Sequence, residues 1–400
     1  MTFAMNQDFF SFIDLHRSSL LDCSWKKEEP GKGELSRDAT SQLQETITSS
    51  QVLRAIENII QGIVTSLSRN EPPFLTLDNR CSWGNIEFKD SVGLQMVSHC
   101  TTRKVRSDCS KSAQRFAFIL KVLSIIYKLV QSNTYATKRD IYYTNVQLFG
   151  SQYIVDNIIN DVSCLLKISR RSLHILSTSK GCVAGDLCYI EDGTKVNCAG
   201  NVTAVLVPSN VQGIKNLNSN AKFILIIEKD ATFQRLLDDD FCNKVSPCIM
   251  ITGKGIPDLN TRLLVRKLWD TFHIPIFTLV DADPYGIEIM CIYKYGSVSM
   301  SFEAHNLTVP STRWLGLLPS DVERLNIPQD ALIPLTEMDK KKLASMQKRP
   351  YIACQPIWKK EMEIMAASNM KAEIQALTSL SSDYLSRVYL PNKLQFGGWI

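Results

Sequence analysis

FILIIE (residues 223–228), PCIMITGKG (247–255) and IPIFTLVDAD (274–283) are three apolar runs separated by ATFQRLLDDDF (231–241) and DLNTRLLVRKLWDTF (258–272). The runs have the length of strands, and the spacers carry helical patterning. Such alternation predicts a parallel α/β sheet covered on both faces, with ligands at the carboxyl ends of its strands. Glu228, Asp281 and Asp283 each follow an apolar run, so all three carboxylates are expected at one edge of the sheet. Oxygen ligation without His or Cys suits a hard divalent ion, and Mg²⁺ fits best because it also takes phosphate oxygens. Such an ion can neutralise charge that develops on a phosphodiester.

An Asp-x-Asp after a strand is more often a helix cap than a metal site. Glu228 and the intervening Gly253-Lys254-Gly255 turn reverse that preference. Glycines let backbone amides approach a phosphate, Lys254 supplies a compact positive charge, and Arg262 stands on the next helix.

Upstream, AQRFAFILKVLSIIYKLV (113–130), KRDIYYTNVQLF (138–149) and SQYIVDNIINDVSCLLKI (151–168) read as three helices. LHILSTSKGCVAGDLCYI (173–190) with the Asp192-Gly193 turn reads as a β-hairpin. Three helices followed by a hairpin give the order of a winged helix-turn-helix, a common DNA-docking unit. The second helix carries Arg139, Tyr142 and Tyr143. Paired tyrosines usually pack; as a nucleophile, a tyrosine with an ordinary pKa near 10 needs its phenolate stabilised, a role open to a neighbouring guanidinium. The residues alone do not choose between Tyr142 and Tyr143.

Composition sets outer bounds. The chain has 400 residues, 44% hydrophobic and 21% charged, which is ordinary globular composition with room for two or three domains. A net charge of +5 allows contact with phosphate without requiring it. The 12 cysteines lack the paired spacing of zinc sites and read as reduced thiols of an intracellular protein. No stretch is long and apolar enough for a membrane span, and the opening residues do not resemble a secretory signal. Residues from Cys23 to about Ser50 read as a linker. Beyond them Val52, Ile56, Ile59, Ile60, Ile63, Val64 and Leu67 recur at helical spacing, with Ser49 or Ser50 available as cap; this stripe either joins the local core or docks in a partner's groove.

KRDIYYTNVQLF, IIEKDATFQRL, MITGKGIPDLNTR and LVDADPYGIEI, in that order, resemble the A subunit of DNA topoisomerase VI and its eukaryotic descendants, the meiotic recombination proteins that make programmed double-strand breaks. The likeness runs from about Ala113 to the C-terminus. It implies a winged-helix (CAP-like) DNA-binding domain followed by a Toprim-type parallel α/β domain. The expected divisions are a flexible segment 1–50, a partner-binding region 51–110, a winged-helix domain 111–200, and a Toprim domain with helical elaboration 201–400.

Many members of that family have Phe in the first aromatic position, so the resemblance makes Tyr143 the nucleophile and Arg139 its companion. It also makes Glu228, Asp281 and Asp283 the Mg²⁺ ligands, and places Lys254 and Arg262 near double-stranded DNA. It further implies a nuclear enzyme acting as a homodimer, and a topoisomerase VI B-like partner on the N-terminal helix through Ile56, Ile60 and Ile63. The rivals are a metal-dependent nuclease or primase using the same carboxylates, and a non-catalytic DNA-binding scaffold.

Overall fold

In the computed structural model, which describes residues 11–25, 47–199 and 204–400, the chain builds a helical unit before it reaches the strands that carry the acidic residues. Helix α1 (Ser11–Trp25) falls within the span expected to be flexible, and Ile13 is buried in the same cluster as Leu390 and Leu394. Residues 26–46, the core of the expected linker, lie outside the described residues. Helix α2 (Ser49–Ser68) is capped by Thr48, not by the expected Ser49 or Ser50. The Thr48 hydroxyl accepts from the Gln51 amide at 3.3 Å, and Gln51 Oε1 accepts from the Thr48 amide at 2.7 Å. Only Thr48 of the three has a Gln three residues on, as this reciprocal box requires.

Strands β1 (Phe74–Asp78), β2 (Ile86–Lys89), β3 (Gly93–Met96) and β4 (Thr102–Arg106) follow. β1 pairs antiparallel with β4, and β2 with β3. Next come α3 (Ala113–Gln131), β5 (Ala136–Thr137), α4 (Lys138–Thr144), α5 (Val146–Phe149), α6 (Gln152–Leu166) and β6 (Ile175–Leu176). Ile56 from α2, Leu77 and Val105 from the strands, Val122 from α3, and Ile158 and Val162 from α6 share one core. Each such side chain contributes about 1.5–3 kcal/mol on burial. Asp161, buried on α6, ties the unit together through Arg80 at 3.0 Å, Arg103 at 2.8 Å and Arg115.

The hairpin expected directly after α6 is redistributed. β6 pairs with β5, while β7 (Cys182–Gly185) enters a six-stranded sheet. Cys182 and Ala184 face the core on one side of that sheet and Val183 the core on the other, as in a strand of a sheet covered on both faces. Only β8 (Cys188–Glu191) and β9 (Thr194–Asn197) form a hairpin around Asp192-Gly193, and Tyr189 packs into the core of the sheet. The boundary expected near residue 200 therefore falls ahead of Cys182. The strand pair that packs on the helices, β1 with β4, comes from upstream of them.

The rest of the sheet follows from the apolar runs. After β10 (Val205–Leu206) and β11 (Lys215–Asn218) come β12 (Phe223–Ile227), α7 (Asp230–Asp238), α8 (Phe241–Lys244), β13 (Cys248–Thr252), α9 (Leu259–Phe272), β14 (Ile276–Leu279), α10 (Pro284–Tyr295) and β15 (Arg313–Gly316). Sheet order is β10-β7-β13-β12-β14-β15. The last four of these strands are mutually parallel, but β7 runs against both its neighbours, β13 and β10, so the expected parallel sheet is mixed. Phe223, Leu225 and Ile227 point to one core and Ile224 and Ile226 to the other, which explains their unbroken apolar run.

Candidate active site

The register of the parallel strands brings the carboxylates together. Ile227 pairs with Thr252 on one side and Leu279 on the other, so Glu228, Gly253 and Val280 leave the sheet side by side. The Glu228 carboxylate accepts from the Asp281 amide at 2.8 Å. Asp281 accepts from the Ile374 amide at 2.8 Å through one oxygen and from Lys229 Nζ at 2.8 Å through the other. Asp283 caps α10, accepting from the Gly286 amide at 2.6 Å. The commonplace reading of an Asp-x-Asp thus holds for Asp283 as a helix cap. Gly286 is required here: a Cβ would lie 2.5 Å from the Asp281 carbonyl oxygen and 3.0 Å from Glu228 Oε2.

Electrostatics mark this edge as short of positive charge. Burial, followed by the neighbouring Asp281 charge, pushes the Glu228 carboxyl up to about 7. Burial also raises Asp281 and Asp283, although Lys229 and backbone amides oppose it. Lys229 is shared with Glu373 at 3.0 Å, so one ammonium serves several acids. Neither Lys229 nor Glu373 stands out in the sequence; the adjacency of Lys229 to Glu228 is the available signal. Among the described residues, no three His, Cys, Asp or Glu side chains already form a metal-binding group. The donors nevertheless fit a divalent cation: they are hard oxygens, partly desolvated, with raised proton affinity that added positive charge would reverse.

The glycine loop lies beside them. Gly255 donates its amide to the Glu228 carbonyl at 2.9 Å, and Lys254 takes a left-handed backbone with φ of 54°. A Cβ on Gly253 would meet Tyr293 Oη at 2.7 Å, so close packing fixes that glycine. Lys254 Nζ pairs with Asp230 at 3.1 Å, which leaves it partly exposed at the loop tip. Arg262 is sunk in the fold at 5% exposure, and burial lowers its pKa to about 10. It lines a cleft shared with Lys138, Arg139 and Arg170.

Tyr143 lies on α4 and is 70% exposed; Tyr142 is half-buried, its hydroxyl donating to the Gly150 carbonyl at 3.4 Å. Thr137 and Asp140 cap α4 reciprocally, at 3.2 and 2.8 Å. Arg139 is exposed one helical turn before Tyr143, within reach on the same face. Among the described residues, no hydrogen bond or ion pair joins Tyr143 or Arg139 to Glu228, Asp281 or Asp283. On α2, Ile56 is 2% exposed and belongs to the chain's own core, so it offers nothing to a partner. Ile63 is half-buried, and Ile60, Val64 and Leu67 face outward.

A sheet edge with carboxylates after successive strands, joined to a helical unit bearing an exposed tyrosine, defines a Toprim-containing enzyme of the topoisomerase class. A family model for the Toprim domain of Spo11 and of the topoisomerase 6 A subunit matches residues 223–394, and one described as "Type IIB DNA topoisomerase" matches residues 114–175. The meiotic recombination protein SPO11 of Homo sapiens is 73% identical over 395 residues, covering 98% of this chain and 97% of that one. Its Mus musculus counterpart is 68% identical, over 98% of this chain and 97% of its own. The A subunit of DNA topoisomerase 6 of Arabidopsis thaliana is 36% identical, over 86% of this chain and 80% of its own. The chain belongs to the Spo11/topoisomerase 6 A-subunit family, a family of type IIB topoisomerase-like enzymes whose Toprim domain implies divalent-metal use.

Proposed function

We propose that this chain is the catalytic subunit that makes the double-strand breaks of meiotic recombination by topoisomerase-like transesterification, with Tyr143 as nucleophile. Its substrate is double-stranded DNA, and its place of action is the nucleus. The observation that carries the reading is the pairing, in one chain of this family, of an exposed Tyr143 with an acidic sheet edge it does not touch. That separation favours two copies acting together, the tyrosine of each working at the carboxylates of the other.

The Tyr143 oxygen attacks phosphorus as its phenolic proton leaves, an O–P bond forms, and the bond from phosphorus to the 3′ oxygen breaks. The products are a 5′-phosphotyrosyl link and a 3′ oxygen that gains a proton. Ester energy is kept in the link. Arg139, one turn away, offers its guanidinium to the phenolate and the phosphate. Glu228, Asp281 and Asp283 are the residues that would hold Mg²⁺, which supplies neutralisation of charge at the scissile phosphodiester. Lys254 at the loop tip and Arg262 in the cleft supply positive charge to the DNA backbone. The helical unit serves as a winged-helix-type docking surface, and the outward face of α2, with Ile60 and the edge of Ile63, receives a B-like subunit.

The test is recovery of DNA-linked protein from meiotic cells and location of the modified residue by mass spectrometry. The link is expected on Tyr143 and absent in Tyr143→Phe. Breaks that persist in Tyr143→Phe without a protein-linked end would favour a metal-dependent nuclease that uses water.

A further inference from the structure

Between the helical unit and the sheet lies an open cleft of about 510 Å³ whose wall carries four cations: Lys138 and Arg139 from α4, Arg170 from the segment after α6, and Arg262 from α9. Their charges are poorly matched. Arg262 is buried, yet its Nε and Nη2 have no hydrogen-bond partner among the described residues, and Arg170 Nε is likewise enclosed and unpartnered. The carboxylates at hand do not absorb this excess. Asp156 is held by Lys138 at 3.5 Å, and Asp258 is occupied as the cap of α9 and by the Lys180 and Gly181 amides at 3.1 and 3.2 Å. Glu303, whose charge both guanidiniums feel, forms no ion pair with either, and its Oε2 is itself unpartnered. Burial also lowers Lys138, to about 8, with Arg170 adding to the effect. Buried guanidinium donors without acceptors are costly, and a bound anion is the usual compensation.

We propose that this cleft seats a backbone phosphate of duplex DNA, held by Arg170 and Arg262, and that these two are positioning residues which align the duplex against the tyrosine-bearing helix. The proposal deepens the reading of the chain as a DNA-cleaving enzyme and rests on it. The two arginines come from different elements, the segment after α6 and helix α9, so one phosphate would also tie the helical unit to the sheet. Phosphate contacts of this kind fix register and carry no base information.

The test measures binding of a fluorescein-labelled duplex to the full chain carrying Tyr143→Phe, so that no covalent link forms. Arg170→Gln and Arg262→Gln should each weaken binding about tenfold and reduce the slope of log affinity against log salt by about 0.9. Glu303→Gln removes the competing carboxylate with little change of shape, and should tighten binding about threefold. Inorganic phosphate should compete with the duplex less effectively in Arg262→Gln than in the parent. The opposing view makes the cluster a purely internal brace. It predicts lower melting temperatures for the arginine variants, unchanged affinity and salt slope for the folded fraction, and no gain in Glu303→Gln; that result would overturn the proposal. If Arg262→Gln does not fold, Glu303→Gln alone decides. Failure of Tyr143 to become linked to DNA would leave these affinities as they are, so the two readings fail separately.

Discussion

The acidic edge of the sheet and the tyrosine-bearing helix are built in opposite ways. Glu228 and Asp281 are buried, tied to backbone amides at 2.8 Å, and held where their charge is disfavoured. Tyr143 stands on a seven-residue helix with most of its surface in solvent and the Tyr142 ring tilted beside it, centroids 5.4 Å apart. Three acids that repel one another need a rigid frame, and the parallel register provides one. The nucleophile proposed at Tyr143, if it works at the acids of a second copy, needs exposure, and the short reciprocally capped helix gives it.

The sharpest break in that comparison comes from mixing copies. Tyr143→Phe and Asp281→Asn should each abolish double-strand cleavage when present in both protomers. If the tyrosine of one copy works at the acids of the other, a dimer of one Tyr143→Phe and one Asp281→Asn protomer has one intact composite site and one doubly defective site. Such mixed dimers should nick one strand and make no double-strand breaks, as read by denaturing and native electrophoresis of the same DNA. Complete inactivity of the mixture would mean that each chain supplies both parts of its own site.

A smaller effect should separate the two regions by stability. The Glu228 carboxyl has its folded pKa raised from 4.5 to about 7, so the folded chain binds this proton more tightly than the unfolded chain. Its contribution is therefore fully present below the lower value and is lost as pH rises through the upper one. Above pH 7 the buried charge costs on the order of 3 kcal/mol. Glu228→Gln keeps an oxygen for the Asp281 amide, so without metal it should melt higher than the parent at pH 8 and no higher at pH 4. Mg²⁺ should raise the melting temperature of the parent at pH 8 and leave the variant nearly unmoved. Tyr143→Phe, exposed, should match the parent throughout; calorimetry across pH reads all three.

What could be read beforehand follows the same division. The apolar runs ending at Glu228 and Asp281 announce themselves because a strand buried on both faces has no polar positions to confuse the pattern. Their convergence was legible for that reason. The partners that set their electrostatics were not: Lys229 meets Asp281 and Glu373 across long sequence separations, and a lysine after a strand has no pattern of its own. The upstream part of the expected hairpin went elsewhere for a related cause, while its Asp192-Gly193 turn formed. Cys182–Gly185 is as short as any wing strand, and only its place between β13 and β10 shows that it belongs to the sheet. The choice of Tyr143 over Tyr142 required the family likeness, and the exposure of one ring with partial burial of the other is in keeping with it.

The smallest expected effect lies on α2, which combines both building styles in a single helix. Val52 and Ile56 are fixed in the chain's own core, whereas Val64 and Leu67, two turns and more further on, are 58% and 59% exposed. Ile56→Ala should lower the stability of the isolated chain by about 2–5 kcal/mol, as deletion of a buried isoleucine commonly does. Val64→Ser and Leu67→Ser should change it by no more than about 0.5 kcal/mol, because most of each side chain already lies in solvent. If the outward face seats a B-like subunit, the serine variants should nonetheless lose co-purification with that subunit. Loss of stability in Val64→Ser would instead place its side chain within the fold, and intact partner binding in both serine variants would move the docking surface off this face.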